Sequence, residues 1–132
     1  MHRLAIAAIC AVTLAATTAY AEAAPPDLSG TYRCVGTSDQ GTKYTGQVQI
    51  KKVRKGYQIT WVVGKTKYSG IGFVDEDRFS VAWTVKTQNG TAIGVVLYKI
   101  KENGSLEGKW TDPSLNGVYD ETLVPIREER VI

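Results

Sequence analysis

The stretch KYTGQVQI, Lys43 to Ile50, returns as KYSGIGFV, Lys67 to Val74. Each copy is followed by a run that alternates large apolar residues with polar ones: Tyr57, Ile59, Trp61 and Val63 after the first, Phe79, Val81, Trp83 and Val85 after the second. Period-two alternation places those four side chains on one face of a strand. Each copy therefore reads as a complete β-hairpin with its bulky face turned inward, and the repeat reads as a hairpin built twice. A weaker echo joins Leu28, Gly30 and Tyr32 to Leu106, Gly108 and Trp110. Glycine between large residues suits the bends of a tightly coiled sheet, where a side chain would strike the neighbouring wall.

Outward from the repeat the same pattern continues. Strands are expected at 28–36, 43–53, 56–64, 67–74, 78–87, 91–101, 105–111 and 118–126, separated by turn residues such as Lys55-Gly56, Asn89-Gly90, Asn103-Gly104 and Asn116-Gly117. Gly and Asn there supply the positive φ angles of tight hairpins. All connections are short, whereas a parallel crossover needs a dozen or more residues, so each strand pairs antiparallel with the next. The expected fold is all-β: an eight-stranded antiparallel up-and-down meander closing into a small barrel, which removes exposed sheet edges.

The first residues, MHRLAIAAICAVTLAATTAYAEAA, join a basic start to a short apolar run and to A-x-A sites ending at Ala21 and Ala23. This is the order of a secretory signal peptide. Residues 1–23 are expected to be removed, leaving 24–132 as a single barrel domain, secreted or periplasmic and without a membrane span. The leader holds the single His2, the single Met1 and one of the two cysteines, Cys10. A mature chain without histidine has no imidazole base and no histidine-containing zinc site. Cys34 is then alone, without a disulfide partner in its own chain; its inward register favours a buried, inert thiol, with pairing between chains or a redox-reactive thiol as the alternatives. The net charge of +3 is mild, so nucleic acid is not an expected partner. No cofactor, metal site or catalytic residue is expected.

Candidate binding residues come from two places. Trp61, Trp83 and Trp110 face inward, where they either plug the barrel or stack on a ligand; filling is favoured because eight strands enclose little more than their own side chains. Tyr44 and Tyr68 occupy equivalent positions near strand starts and are expected to close the rim, with recognition through their polar tips as the alternative. Successive turns of a meander alternate between ends. One end gathers Lys51 to Lys55 with Asp75 to Asp77 and Glu102, a mixed polar surface. The other gathers Asp39, Lys65-Thr66, Asn89 and the loop Asp112 to Asn116, and is the place to seek a small ligand. The pairs Asp120 with Glu121 and Asp75 with Asp77 are expected to be solvated charges. Strand 92–100 is apolar on both sides, so its outer face is expected to be covered, by a partner chain, by self-association or by the N-terminal segment.

Seven motifs carry a resemblance: LSGTYRC at 28–34, Tyr44 to Val48, Tyr57 to Trp61, Tyr68 to Gly72, Phe79 to Trp83, Gly94 to Tyr98, and Leu106 to Trp110. The chain resembles a family of small exported bacterial proteins, mostly uncharacterised, some described as fibronectin-binding. That resemblance implies an adhesin-like or matrix-binding role and brings no binding residues with it. The meander is also similar in architecture to avidin and lipocalin barrels, although the polar constellation that holds biotin does not align here. The expected function is non-enzymatic binding of a protein or a small apolar ligand; the alternatives are inhibition of a secreted hydrolase and carriage of a small ligand inside the barrel.

Overall fold

The computed structural model describes residues 26–127. The expected leader, residues 1–23, lies outside them. Eight strands follow one another: β1 (Gly30–Thr37), β2 (Lys43–Val53), β3 (Gly56–Val63), β4 (Thr66–Asp75), β5 (Arg78–Thr87), β6 (Gly90–Ile100), β7 (Leu106–Thr111) and β8 (Tyr119–Pro125). They form a closed antiparallel barrel in chain order, and β1 meets β8 through pairs such as Cys34 with Leu123 and Gly36 with Glu121. Fold class and strand order are those read from the alternation, with ends shifted by at most two residues.

The turns depart from the expected chemistry at three places, the first being Asn116-Gly117, where neither residue takes a positive φ. In the β2–β3 and β4–β5 hairpins the left-handed positions are taken by Arg54 (φ 54°) and Glu76 (φ 56°). Closure of the barrel holds these hairpins against the intrinsic preference for glycine or asparagine.

Alternation fixes which residues meet inside. Near the end formed by the β2–β3, β4–β5 and β6–β7 turns, Ile50, Ile59, Phe79, Tyr98, Leu106 and Leu123 are buried and fill the interior. The lead-in closes this base: Tyr32 Oη donates to Leu28 O (2.7 Å), Leu28 N–H donates to Tyr57 Oη (3.3 Å), and the Leu28 side chain is buried. Phe79 stacks on Tyr98 and meets Tyr57 edge-on, with centroids 6.0 and 5.5 Å apart.

The opposite half is not filled, which corrects the expectation of a plugged barrel. Its large rings lie along the wall, because neighbouring strands offer glycine where a ring must pass. A Cβ on Gly94 would run into the Trp83 indole and would sit 2.6 Å from Thr111 O; one on Gly70 would stand 2.8 Å from the Trp61 ring. Gly36 gives Tyr44 the same room. Rings that lie against bare backbone leave the axis of the barrel free, and an eight-stranded barrel then has space for one small ligand.

Candidate functional site

The free space is a cavity of about 490 Å³. It opens at the end carrying residues 38–42, 64–65, 88–89 and 112–118. Its wall is aromatic: Tyr44 from β2, Trp61 from β3, Tyr68 from β4, Trp83 from β5 and Trp110 from β7. Ser38, Asp39, Asp112, Ser114 and Leu115 line its mouth, and Glu121 from β8 also lines it. The rings brace one another. Tyr68 meets Trp83 at 5.8 Å, Trp83 meets Trp110 at 6.3 Å, and Trp110 meets Tyr119 at 5.2 Å between centroids. Such pairs add roughly 0.5–1.5 kcal/mol each beyond the area they bury. Within this wall the Trp110 Nε1–H is buried and has no hydrogen-bond partner.

Glu121 is the residue the sequence reading missed. Expected as a solvated charge, it is 6 % exposed and points into the barrel. Its neighbour Asp120 points outward, where it pairs with Lys109 across to β7. Four side chains donate to the buried carboxylate. Oε1 accepts from Tyr44 Oη (2.9 Å) and Cys34 Sγ (3.1 Å); Oε2 accepts from Tyr98 Oη and from Trp61 Nε1 (3.3 Å). The Trp61 N–H is shared with Tyr98 Oη at 3.3 Å. A carboxylate has about four lone-pair sites, so these four donors use them all. They come from β1, β2, β3 and β6, and with β8 one carboxylate ties together five of the eight strands, including the β1–β8 seam. A signal for this existed: Leu123 faces the core, so Glu121, two residues earlier, must face it too.

Burial first, and then the charge of Glu121, raises the pKa of its titratable donors. The Cys34 thiol lies far above its ordinary value of 9.0, and the Tyr44 phenol far above 10.0. Tyr98 is pushed well up and Tyr68 is raised, for the same reasons in the same order. A raised acid holds its proton longer in the folded than in the unfolded chain. Its contribution to stability is therefore complete below the unfolded value and is lost as pH climbs beyond it. The denaturant midpoint is expected to stay level in mildly alkaline buffer and to fall once pH passes about 9 to 10. Tyrosinate absorbance from Tyr44 and Tyr98 should appear together with unfolding; titration of every tyrosine near 10 in the folded barrel would contradict this. In the native state Cys34, fully buried and protonated, should resist thiol reagents.

The other expected residues divide clearly. Trp61, Trp83, Trp110, Tyr44, Tyr68 and Asp39 all line the cavity. Asn89 and Asn116 are exposed and do not. Both lie in the connections between strands. Tyr44 does more than close a rim, since its hydroxyl reaches Glu121.

No family model and no curated protein sequence matches the chain. The site must speak through its own chemistry.

On the outside, the β4–β7 face carries exposed Ile71, Phe73, Ile93, Val95, Leu97 and Val118. Ala82 and Ser80 of β5 lie between Ile71–Phe73 and Val95–Leu97 and make a shallow groove. Of the covers expected for this face, the described part of the N-terminal segment, residues 26–29, packs at the base instead. No helix among them is long and apolar enough to cross a membrane.

Proposed function

We propose that this protein is an exported, non-enzymatic carrier that holds one small ligand in the open half of its barrel, in the secreted or periplasmic space. The cavity of about 490 Å³, walled by five aromatic side chains, carries the reading. Its size and lining match small-molecule sites, which are concave, mostly apolar and furnished with a few placed polar groups. Export is supported by the leader, and a binding role by the resemblance to exported bacterial proteins. Acid–base catalysis is disfavoured by the saturation of Glu121: a carboxylate engaged by four donors has no free lone pair with which to take a proton from a substrate.

The test is to block the cavity without touching its floor. Ala92 lines the upper wall opposite Val85, so Ala92→Trp is expected to plug the mouth while the sheet remains intact. With residues 24–132, a panel of aromatic and aliphatic small molecules is screened by thermal shift and by tryptophan fluorescence. Ligands that raise Tm and quench fluorescence in the wild type should do neither in Ala92→Trp. Equal responses in the two proteins would place binding elsewhere and overturn the carrier reading.

A second reading, recognition of a protein or of another copy through the β4–β7 outer face, is favoured by the exposed Ile71, Phe73 and Val95. Contiguous exposed apolar side chains are a feature of interaction surfaces. Ile71→Lys with Val95→Lys should then abolish any self-association seen by sedimentation, with the cavity's ligands still bound.

A further inference from the structure

The geometry points to an organic cation as the ligand, one whose positive nitrogen is alkylated or part of an aromatic ring. This rests on the carrier reading and names the chemistry of the same cavity.

The sign of the site comes first. The chain carries a net charge of +3, yet the charged residues lining the cavity are Asp39, Asp112 and Glu121, with no lysine or arginine among them. The lysines of that end, Lys43, Lys65, Lys67 and Lys86, are exposed, and alternation turns Lys43, Lys67 and Lys86 away from the inward-facing Tyr44, Tyr68 and Val85. Among the described residues the ion pairs are Lys101 with Glu107 and Lys109 with Asp120. Glu121 therefore has neutral donors and no cation beside it. Its charge is softened by hydrogen bonds but left uncompensated, and a field from a buried charge is much less screened than one at the surface.

The kind of cation follows from the lone pairs. A primary ammonium or a guanidinium seeks acceptors for its N–H groups, and both Glu121 oxygens are already occupied by Tyr44, Cys34, Tyr98 and Trp61. An alkylated nitrogen asks for none. It needs apolar contact, a negative field and aromatic rings, and among the cavity's lining residues are Trp61, Trp83 and Trp110, the ring type that binds cations most strongly. The rim acids Asp39 and Asp112 add attraction at the mouth, where a charged ligand first arrives.

The experiment uses three probes: benzyltrimethylammonium, its isosteric uncharged carbon analogue neopentylbenzene, and the smaller primary cation benzylammonium. Binding to residues 24–132 is measured by calorimetry or tryptophan quenching. Benzyltrimethylammonium is expected to bind at least about tenfold more tightly than neopentylbenzene, through the charge of Glu121 and the aromatic wall together, and more tightly than benzylammonium. In Glu121→Gln, with its fold checked by circular dichroism, the preference for the charged over the uncharged probe should fall to within about threefold. Ala92→Trp should bind none of them.

If neopentylbenzene binds as well as the cation, and Ala92→Trp blocks it, the carrier reading stands and the cation inference is overturned. Binding of benzylammonium as the tightest of the three overturns the argument from occupied lone pairs. Binding that persists in Ala92→Trp overturns both readings. The wild-type comparison of charged and uncharged probes decides the matter even where a Glu121 variant fails to fold.

Discussion

Replacing Glu121 with alanine is expected to cost at least about 3 kcal/mol of folding stability, since it strips four buried donors of their acceptor at once and each orphaned donor costs roughly 1–3 kcal/mol. Water entering from the cavity recovers part of that, so the full sum is not reached. For a domain of this size the loss corresponds to a fall in Tm on the order of 15 °C, a large share of the stability of an ordinary domain. The donors affected are Cys34, Tyr44, Trp61 and Tyr98, on four different strands. Loss of their shared acceptor loosens the β1–β8 seam, where Glu121 faces Gly36. Glu121→Gln should be much milder, about 1–2 kcal/mol. Its amide oxygen can keep Trp61 and Tyr98, and its NH₂ can turn to the Tyr44 hydroxyl and the Cys34 sulfur, both able to accept. Asp120→Asn, one residue away, should change stability by less than about 1 kcal/mol, because its pair with Lys109 is a solvent-exposed surface bridge. Urea melts of the three variants check the order. Equal effects at 120 and 121 would show that the carboxylate is not the hub of the upper barrel.

The contrast between those neighbours marks how far the sequence could be read. Period-two alternation gave the strands, the meander and its closure, and it assigned Trp61, Trp83 and Trp110 to the inner face. It also sorted the turns between the two ends, so that the mouth with Asp39 and Asp112 was foreseen. Two things were not. Glu121 has the inward register of Leu123, but a lone carboxylate in an apolar barrel runs against the cost of burying charge. Its donors, moreover, come from positions up to 87 residues away, which alternation along one strand does not bring together. The hollow upper half escaped for a related reason. Whether an inward tryptophan plugs the axis or lies on the wall depends on what the neighbouring strand presents to it, and that depends on register: Trp83 stands opposite Gly94. The glycines were visible, but the pairing of ring with glycine was not.

That pairing makes the second large effect. Gly94→Ala is expected to lower stability by about 3 kcal/mol, at the upper end of ordinary overpacking, and to abolish ligand binding together with it. The added methyl would overlap the Trp83 indole and approach Thr111 O at 2.6 Å. The backbone oxygen belongs to the β6–β7 neighbourhood and moves little, so the indole must yield. Its way into the core below is blocked by the buried Val81, Val96 and Phe79, which leaves the cavity as the free direction. Trp83 then swings off the wall, loses its edge contacts with Tyr68 and Trp110, and occupies the space a ligand needs. The double variant Gly94→Ala with Trp83→Leu separates the two contacts. Removing the large ring should recover about half of the loss and reopen the cavity, while the part due to Thr111 O persists. A cycle of urea melts measures the coupling, expected at about 1–2 kcal/mol for groups in direct contact. If Gly94→Ala melts like the wild type and still binds, Trp83 does not lie against β6, and the wall that keeps this barrel open is built in some other way.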